Sequence, residues 1–159
     1  MEQISAQFKS DRIRIFKSLN KNTVLTQLAE TLSSSPNISN KEELSKAIFS
    51  REQLMSTGIG LGIGVPHVRL NTVSDLTLAF GISTTPIKDY ESLDGAPVQL
   101  ICMIAANTSQ HAEYLRTLAK ISEFLKSESF RTKLIAAADL PDDKLAIEAV
   151  KSLLVKECE

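Results

Sequence analysis

His67 closes an unusual run. In "STGIGLGIGVPH", from Ser56 to His67, four of the chain's six glycines fall on every second position before Pro66 and His67 end the pattern. An imidazole has a reference pKa near 6.5, so at neutral pH most rings are uncharged and keep one nitrogen lone pair free for nucleophilic attack. Glycine lacks the Cβ that shields the main chain, so it admits a ligand or a second backbone at close range, and bare N–H groups can hold an anion. Read as an extended segment, the run puts Ile59, Leu61, Ile63 and Val65 on one core-facing side and Gly58, Gly60, Gly62 and Gly64 on the other. Pro66 then removes a ladder donor, so the strand is expected to end as His67 arrives. A packed glycine-rich strand with an incidental histidine fits the same spacing, and the spacing alone leaves both readings open. No GK[ST] follows, and Ile63 and Val65 stand where a GxGxxG motif would need its third glycine, so no nucleotide-binding motif is present.

Arg51 is a second clue. It lies four residues after Ala47, three after Ile48 and four before Met55, on the apolar stripe of a predicted helix, with no acidic residue at positions 47, 48, 54 or 55. A core-facing cation without a local partner wants an anion. It can also pair with a distant carboxylate, or lie at the stripe's edge with its head in water. Glycine loop, terminal histidine and inward arginine together favour a phosphoryl site.

The elements that must carry these residues can be read from periodicity. "DRIRIFKS" alternates as a short strand, and Val24, Leu25, Leu28, Ala29 and Leu32 recur at helical spacing until "SSSP". Asn40 and Glu43 resemble a capping box opening the helix of Leu44, Ala47, Ile48 and Arg51. Leu76, Leu78, Phe80 and Ile82 alternate as a half-buried strand, "SLDGAP" reads as a turn, and "PVQLICMIAA" is apolar enough for a strand covered on both faces. Leu115, Leu118, Ile121 and Leu125 mark a third helix, opened by a cap at Asn107 or Thr108. Phe130 and Leu134 mark a short fourth, and the stretch from Leu145 to Leu154 an amphipathic fifth. The expectation is an α/β fold in a single domain spanning 1–159, a small mixed sheet, parallel in part, covered by helices.

Bulk composition narrows the function classes. The chain has 159 residues, 43% hydrophobic, with 18 basic against 19 acidic side chains and no basic block. Nucleic-acid binding is therefore not expected. No apolar run approaches the roughly 20 residues that span a bilayer, and the N-terminus lacks a signal-peptide core, so a cytoplasmic protein without membrane insertion is expected. Cys102 and Cys158 lack the number and spacing of a disulfide framework or zinc site and are read as free thiols, Cys102 in the core.

The stretch "REQLMSTGIGLGIGVPH" resembles the active-site signature of the phosphotransferase-system EIIA type-2 domains, the fructose and mannitol type with their nitrogen-regulatory branch. The similarity extends, less tightly, to "SLDGAPVQLICMI" and to the Leu115, Leu118, Ile121 helix. It implies a phosphocarrier in which His67 accepts a phosphoryl group from an HPr-like histidine-phosphorylated protein and passes it on, with Arg51 as the active-site arginine. Phosphoryl transfer needs positioning and positive or N–H-rich surroundings more than covalent chemistry. The loop Ser56, Thr57, Gly58, Gly60, Gly62 and Gly64 could supply these with Arg51, calling for neither metal nor cofactor. One departure stands out: where the family carries a second active-site histidine, this chain has Tyr114. His111 lies one helical turn earlier and could substitute, or Tyr114 could donate a phenolic hydrogen bond. His111 can equally be a surface residue of the helix's first turn. An exposed apolar patch for docking is expected near the site if the face of Ile59, Leu61 and Val68 is open. With no room for a IIB or membrane domain in this chain, the resemblance points to a nitrogen-regulatory-type regulator. A sugar-specific IIA component passing phosphate to a IIB domain, and a binding module no longer phosphorylated, are the alternatives.

Overall fold

In the computed structural model, which describes residues 4–17 and 19–159, the long apolar run forms β6 (Val98–Ala106), and the sheet assembles around it. Its alternate residues are buried on both faces, Leu100, Cys102 and Ile104 to one side and Ile101, Met103 and Ala105 to the other. β5 (Thr77–Ile87) pairs with it antiparallel, and β1 (Ile13–Phe16) lies parallel outside β5. The Ser18 end of the strand read from "DRIRIFKS" lies outside the described residues. On the other edge β3 (Ile63–Gly64) and β4 (His67–Arg69) run parallel to β6, and β2 (Gly58–Gly60) folds back antiparallel on β3. The sheet is therefore mixed, in the order β1-β5-β6-β3-β2, with β4 also beside β6.

α1 (Lys21–Leu32) and α2 (Lys41–Leu54) cover one face of the sheet through Val24, Leu28, Leu44 and Ile48. α3 (His111–Leu125), α4 (Glu128–Ala138) and α5 (Asp143–Cys158) cover the other through Ile121, Leu125, Leu134, Val150 and Leu154. Burying each such side chain stabilises the fold by roughly 1.5–3 kcal/mol before entropy is counted. The Asn40 side chain accepts the Glu43 N–H at 3.0 Å, as the capping pattern predicts. Cys102 is a core residue, Cys158 is partly buried, and both are free thiols. Among the described residues no helix is long and apolar enough to cross a membrane.

Three expectations need correction. First, α3 is not capped by Asn107 or Thr108. Its N-cap is Gln110, with no side-chain cap bond, while Asn107 closes the preceding turn by accepting the Ser109 N–H at 2.9 Å. Second, the segment does not end at His67. The pairing to β6 keeps its register from Ile63–Leu100 to His67–Ile104, interrupted only around Val65 and Pro66, so His67 opens β4. Proline has no N–H to give, but its carbonyl still accepts from Ile104 at 3.0 Å.

Third, the glycine run is a tight hairpin rather than one extended strand. Gly60, Leu61 and Gly62 all have positive φ, at 102°, 59° and 77°, which turns the chain between β2 and β3. Ile63 and Val65 enter the core as expected, but Ile59 and Leu61 are 43% and 49% exposed. What the bare faces admit is a second stretch of the chain, residues 90–97, through its backbone at Gly58 and Gly62 and through side chains at Gly60 and Gly64. A Cβ on Gly58 would lie 2.1 Å from the Glu91 carbonyl oxygen, and one on Gly64 would lie 2.7 Å from the Tyr90 hydroxyl. Gly58 also bridges to Ser92, and its carbonyl accepts the Leu93 N–H at 3.2 Å. Gly58→Ala should therefore destabilise the protein by about 1–3 kcal/mol, because backbone must move to make room. A chemical-denaturation midpoint equal to wild type would show that the segment is not held against the hairpin.

Candidate functional site

His67 is held from below by its own strand. Its Nδ1 lies 2.7 Å from the Val65 carbonyl oxygen, which can only accept, so in the neutral ring Nδ1 carries the proton and Nε2 the free lone pair. The imidazole is half-buried. Burial, the largest cause, holds its pKa below the usual 6.5, and the neighbouring Arg51 guanidinium adds to this, against the opposing Val65 carbonyl and Glu52 carboxylate. The ring is therefore neutral and nucleophilic at pH 7.

Arg51 reaches the site from the last turn of α2. It is half-exposed at the edge of the stripe, with Nη1 donating to the Met55 carbonyl at 2.8 Å and no carboxylate within ion-pair distance among the described residues. Tyr114 comes from α3 on the opposite face of the sheet. Its buried ring lies with its centroid 5.2 Å from that of His67 and 6.4 Å from that of His111, which is exposed. Tyr114, at the place of the resemblance's second histidine, is thus the ring that meets His67, and His111 meets Tyr114. Burial raises the Tyr114 hydroxyl's pKa, which keeps it a neutral donor.

The hydroxyls of Ser56 and Thr57 anchor the hairpin from within. Ser56 Oγ donates to the Glu91 carbonyl at 2.5 Å. Thr57 Oγ1 donates to Glu52 Oε1 at 3.2 Å, so the 2.6 Å bond with Tyr90 has the tyrosine hydroxyl as donor. Glu52 Oε1 also accepts the Thr57 N–H at 3.1 Å and pairs with Lys21 Nζ at 2.9 Å, its side chain only 6% exposed. Lys21 Nζ lies 4.6 Å from the centroid of the Tyr90 ring. Burial pushes the Tyr90 hydroxyl's pKa up, with the Glu52 charge adding to it, so it stays protonated. One hairpin N–H does hold an anion, but it is the chain's own. Asp94 Oδ2 accepts from Leu61 N–H at 2.9 Å, and this bond leads those that lower the Asp94 pKa. Glu52, Tyr90, Lys21 and Asp94 escaped the sequence reading. A carboxylate beside Arg51 and the "SLDGAP" turn stand in the sequence, but nothing local joins them to positions so distant in the chain.

Apolar side chains lie open around this end of the sheet: Leu54, Met55, Ile59, Leu61 and Leu93, with Leu115 on α3. Val68, expected beside Ile59 and Leu61 in the docking patch, is instead buried against the α1 and α2 face. A separate cavity of about 510 Å³, with Ile4, Leu76, Ala119 and Lys120 in its wall, lies elsewhere against α3.

With the geometry in place, comparison with known proteins decides the family. The profile described as phosphoenolpyruvate-dependent sugar phosphotransferase system, EIIA 2, matches residues 6–145. The chain belongs to this family. It is similar to the fructose-specific EIIABC component of Bacillus subtilis, 36% identical over 121 residues, which is 76% of this chain but 19% of that protein. It is similar to a nitrogen regulatory protein of Bradyrhizobium diazoefficiens, 32% identical over 100 residues, 63% of this chain and 65% of that one. The chain thus spans less than two thirds of either relative's length. Its fold matches the crystal structure of the nitrogen regulatory protein IIA-Ntr from Neisseria meningitidis with a TM-score of 0.78, at 24% identity over 95% of this chain and 98% of that one.

The lowered pKa of His67 has a checkable consequence in this EIIA type-2 domain. Since the unfolded ring takes a proton first as pH falls, the contribution of His67 to stability is fully present above pH 6.5 and is lost as pH drops through the lower folded value. A proton-NMR titration should place the His67 midpoint below 6.5, and Glu52→Gln should lower it further. A midpoint at or above 6.5 would mean that the ring is more open to water than this geometry allows.

Proposed function

We propose that the chain is a phosphocarrier in which His67 accepts a phosphoryl group from a histidine-phosphorylated HPr-like protein. The observation that carries this reading is the Nδ1 bond to the Val65 carbonyl, which leaves Nε2 as the free, neutral nitrogen beside an arginine with no carboxylate partner. In the transfer, the Nε2 lone pair forms the new P–N bond while the donor's P–N bond breaks and returns its electron pair to the donor ring. The proton stays on Nδ1, hydrogen-bonded to the Val65 carbonyl, throughout. Negative charge spread over the three phosphoryl oxygens is met by Arg51, whose remaining N–H donors face no competing anion. The glycine hairpin, anchored through Ser56 and Thr57, serves this reading as a rigid wall that fixes the approach of the donor.

The open apolar residues Leu54, Met55, Ile59, Leu61 and Leu93 support a docking role, since carrier and acceptor must each meet the same nitrogen in turn. We read the chain with the nitrogen-regulatory branch, in which phosphorylation of His67 changes the charge of the docking surface and so the choice of target. Similarity to a regulatory protein over 65% of that protein's length supports this. The 36% identity to a fructose-specific component favours the second reading, a sugar-specific IIA that hands its phosphoryl group to a IIB domain.

Incubation with phosphorylated HPr should add one acid-labile phosphoryl group to the intact protein, read by mass spectrometry. His67→Ala should abolish it, and Arg51→Ala should slow it by roughly ten- to a hundredfold with the fold intact. Undiminished labelling of the His67 variant would place the nucleophile elsewhere. Onward transfer to a fructose-type IIB domain at a rate comparable with uptake would favour the sugar reading over the regulatory one.

A further inference from the structure

Arg69 lies two residues beyond His67 on β4. Strand alternation sends Val68 into the α1 and α2 face and leaves His67 and Arg69 together on the α3 face. Its guanidinium carbon lies 6.0 Å from the centroid of the Tyr114 ring, whose other neighbour is the His67 ring at 5.2 Å. The guanidinium is exposed, and among the described residues its one hydrogen bond is a long 3.5 Å contact from Nη1 to the Thr108 carbonyl. Among the described residues no carboxylate lies within ion-pair distance of it, just as none lies near Arg51. Both guanidinium charges act on the same Tyr114 hydroxyl, favouring its ionised form against the effect of burial. Two cations from different elements thus converge on an uncharged pair of rings, neither of them ion-paired among the described residues. Like charges so placed repel, and the arrangement becomes favourable when a dianion enters.

We propose that Arg69 is a second phosphoryl-binding residue, reaching past the Tyr114 ring to hold the group on His67 Nε2 from the α3 side while Arg51 holds it from α2. This inference rests on the phosphocarrier reading. It gives the substituted position a physical account: Tyr114 brings no charge of its own but spaces His67 from a guanidinium that is charged at every accessible pH. The planar fork can grip two phosphoryl oxygens at once, which an imidazole cannot do.

Phosphoramidate tests this without any docking surface, since it is a small donor whose P–N bond breaks with ammonia leaving as the bond to His67 forms. With phosphoramidate, Arg69→Ala and Arg69→Gln should label His67 roughly ten- to a hundredfold more slowly than wild type. Arg69→Lys should fall between, and added guanidinium ion should restore part of the lost rate in Arg69→Ala. Thermal unfolding should be unchanged in all three, because the side chain is exposed and makes no strong bond. Labelling of Arg69→Ala and Arg69→Gln at the wild-type rate would overturn the proposal. So would slowing confined to phosphorylated HPr, which would make Arg69 a carrier contact. If wild type took no phosphate from either donor, the phosphocarrier reading itself would fail and this proposal with it.

Discussion

A single hydrogen bond, from the His67 ring to the carbonyl two residues before it, fixes the chemistry of this surface. It exists because proline interrupts the strand at the right place. In the ladder to β6, Ile104 takes the Pro66 carbonyl, while the Val65 carbonyl lies 2.7 Å from Nδ1 of the imidazole. The bond sets the tautomer, fixes the ring's orientation and leaves only Nε2 for an electrophile. Were the ring free to rotate, the neutral form would be divided between two tautomers. Backbone geometry, more than any neighbouring side chain, therefore sets which ring nitrogen is left free.

Charge is distributed to match. Arg51 and Glu52 are adjacent in sequence, yet a helix turns about 100° per residue, so one reaches the rim and the other turns beneath the hairpin. Glu52 is ion-paired there with Lys21 and hydrogen-bonded by Thr57, and among the described residues its second oxygen, Oε2, is buried without a hydrogen bond. An unneutralised buried carboxylate would be costly, which is why the ammonium of Lys21 sits against it. The same carboxylate offsets part of the effect of Arg51 on the imidazole. Anion and cation of one helical turn thus act in opposite senses on His67, and burial decides the net direction.

How far the sequence discloses this depends on the range of each interaction. β5 and the five helices are legible because their cores follow periods of two or 3.6, β6 because its run is continuously apolar, and the Asn40 cap because its partner is three residues away. His67 and Arg51 are legible from residue type and spacing. The hairpin is not, because glycine at alternate positions imitates strand alternation, and the turn depends on positive φ at Leu61, a residue that seldom adopts it. Nor can a local pattern reveal that residues 90–97 lie over Gly58 and Gly64, or that Tyr90 donates to Thr57 across 33 positions. The glycines announced a close approach, and only the fold says that a second stretch of the chain makes it.

Tyr114 shows how a substitution can be read from both ends. By sequence it is a departure, one titratable ring replaced by another with a far higher ordinary pKa. In the fold, burial raises that value further, so the hydroxyl is neutral wherever His67 can act. A second histidine at that position could share protons with the first, and their titrations would be coupled. With tyrosine there, proton loss from His67 is decoupled from the ring it touches. On the phosphocarrier proposal, the positive charge near Nε2 then comes from the guanidinium groups of Arg51 and Arg69. Under the phosphocarrier proposal, the acid limb of phosphoryl uptake is then set by one proton on one ring.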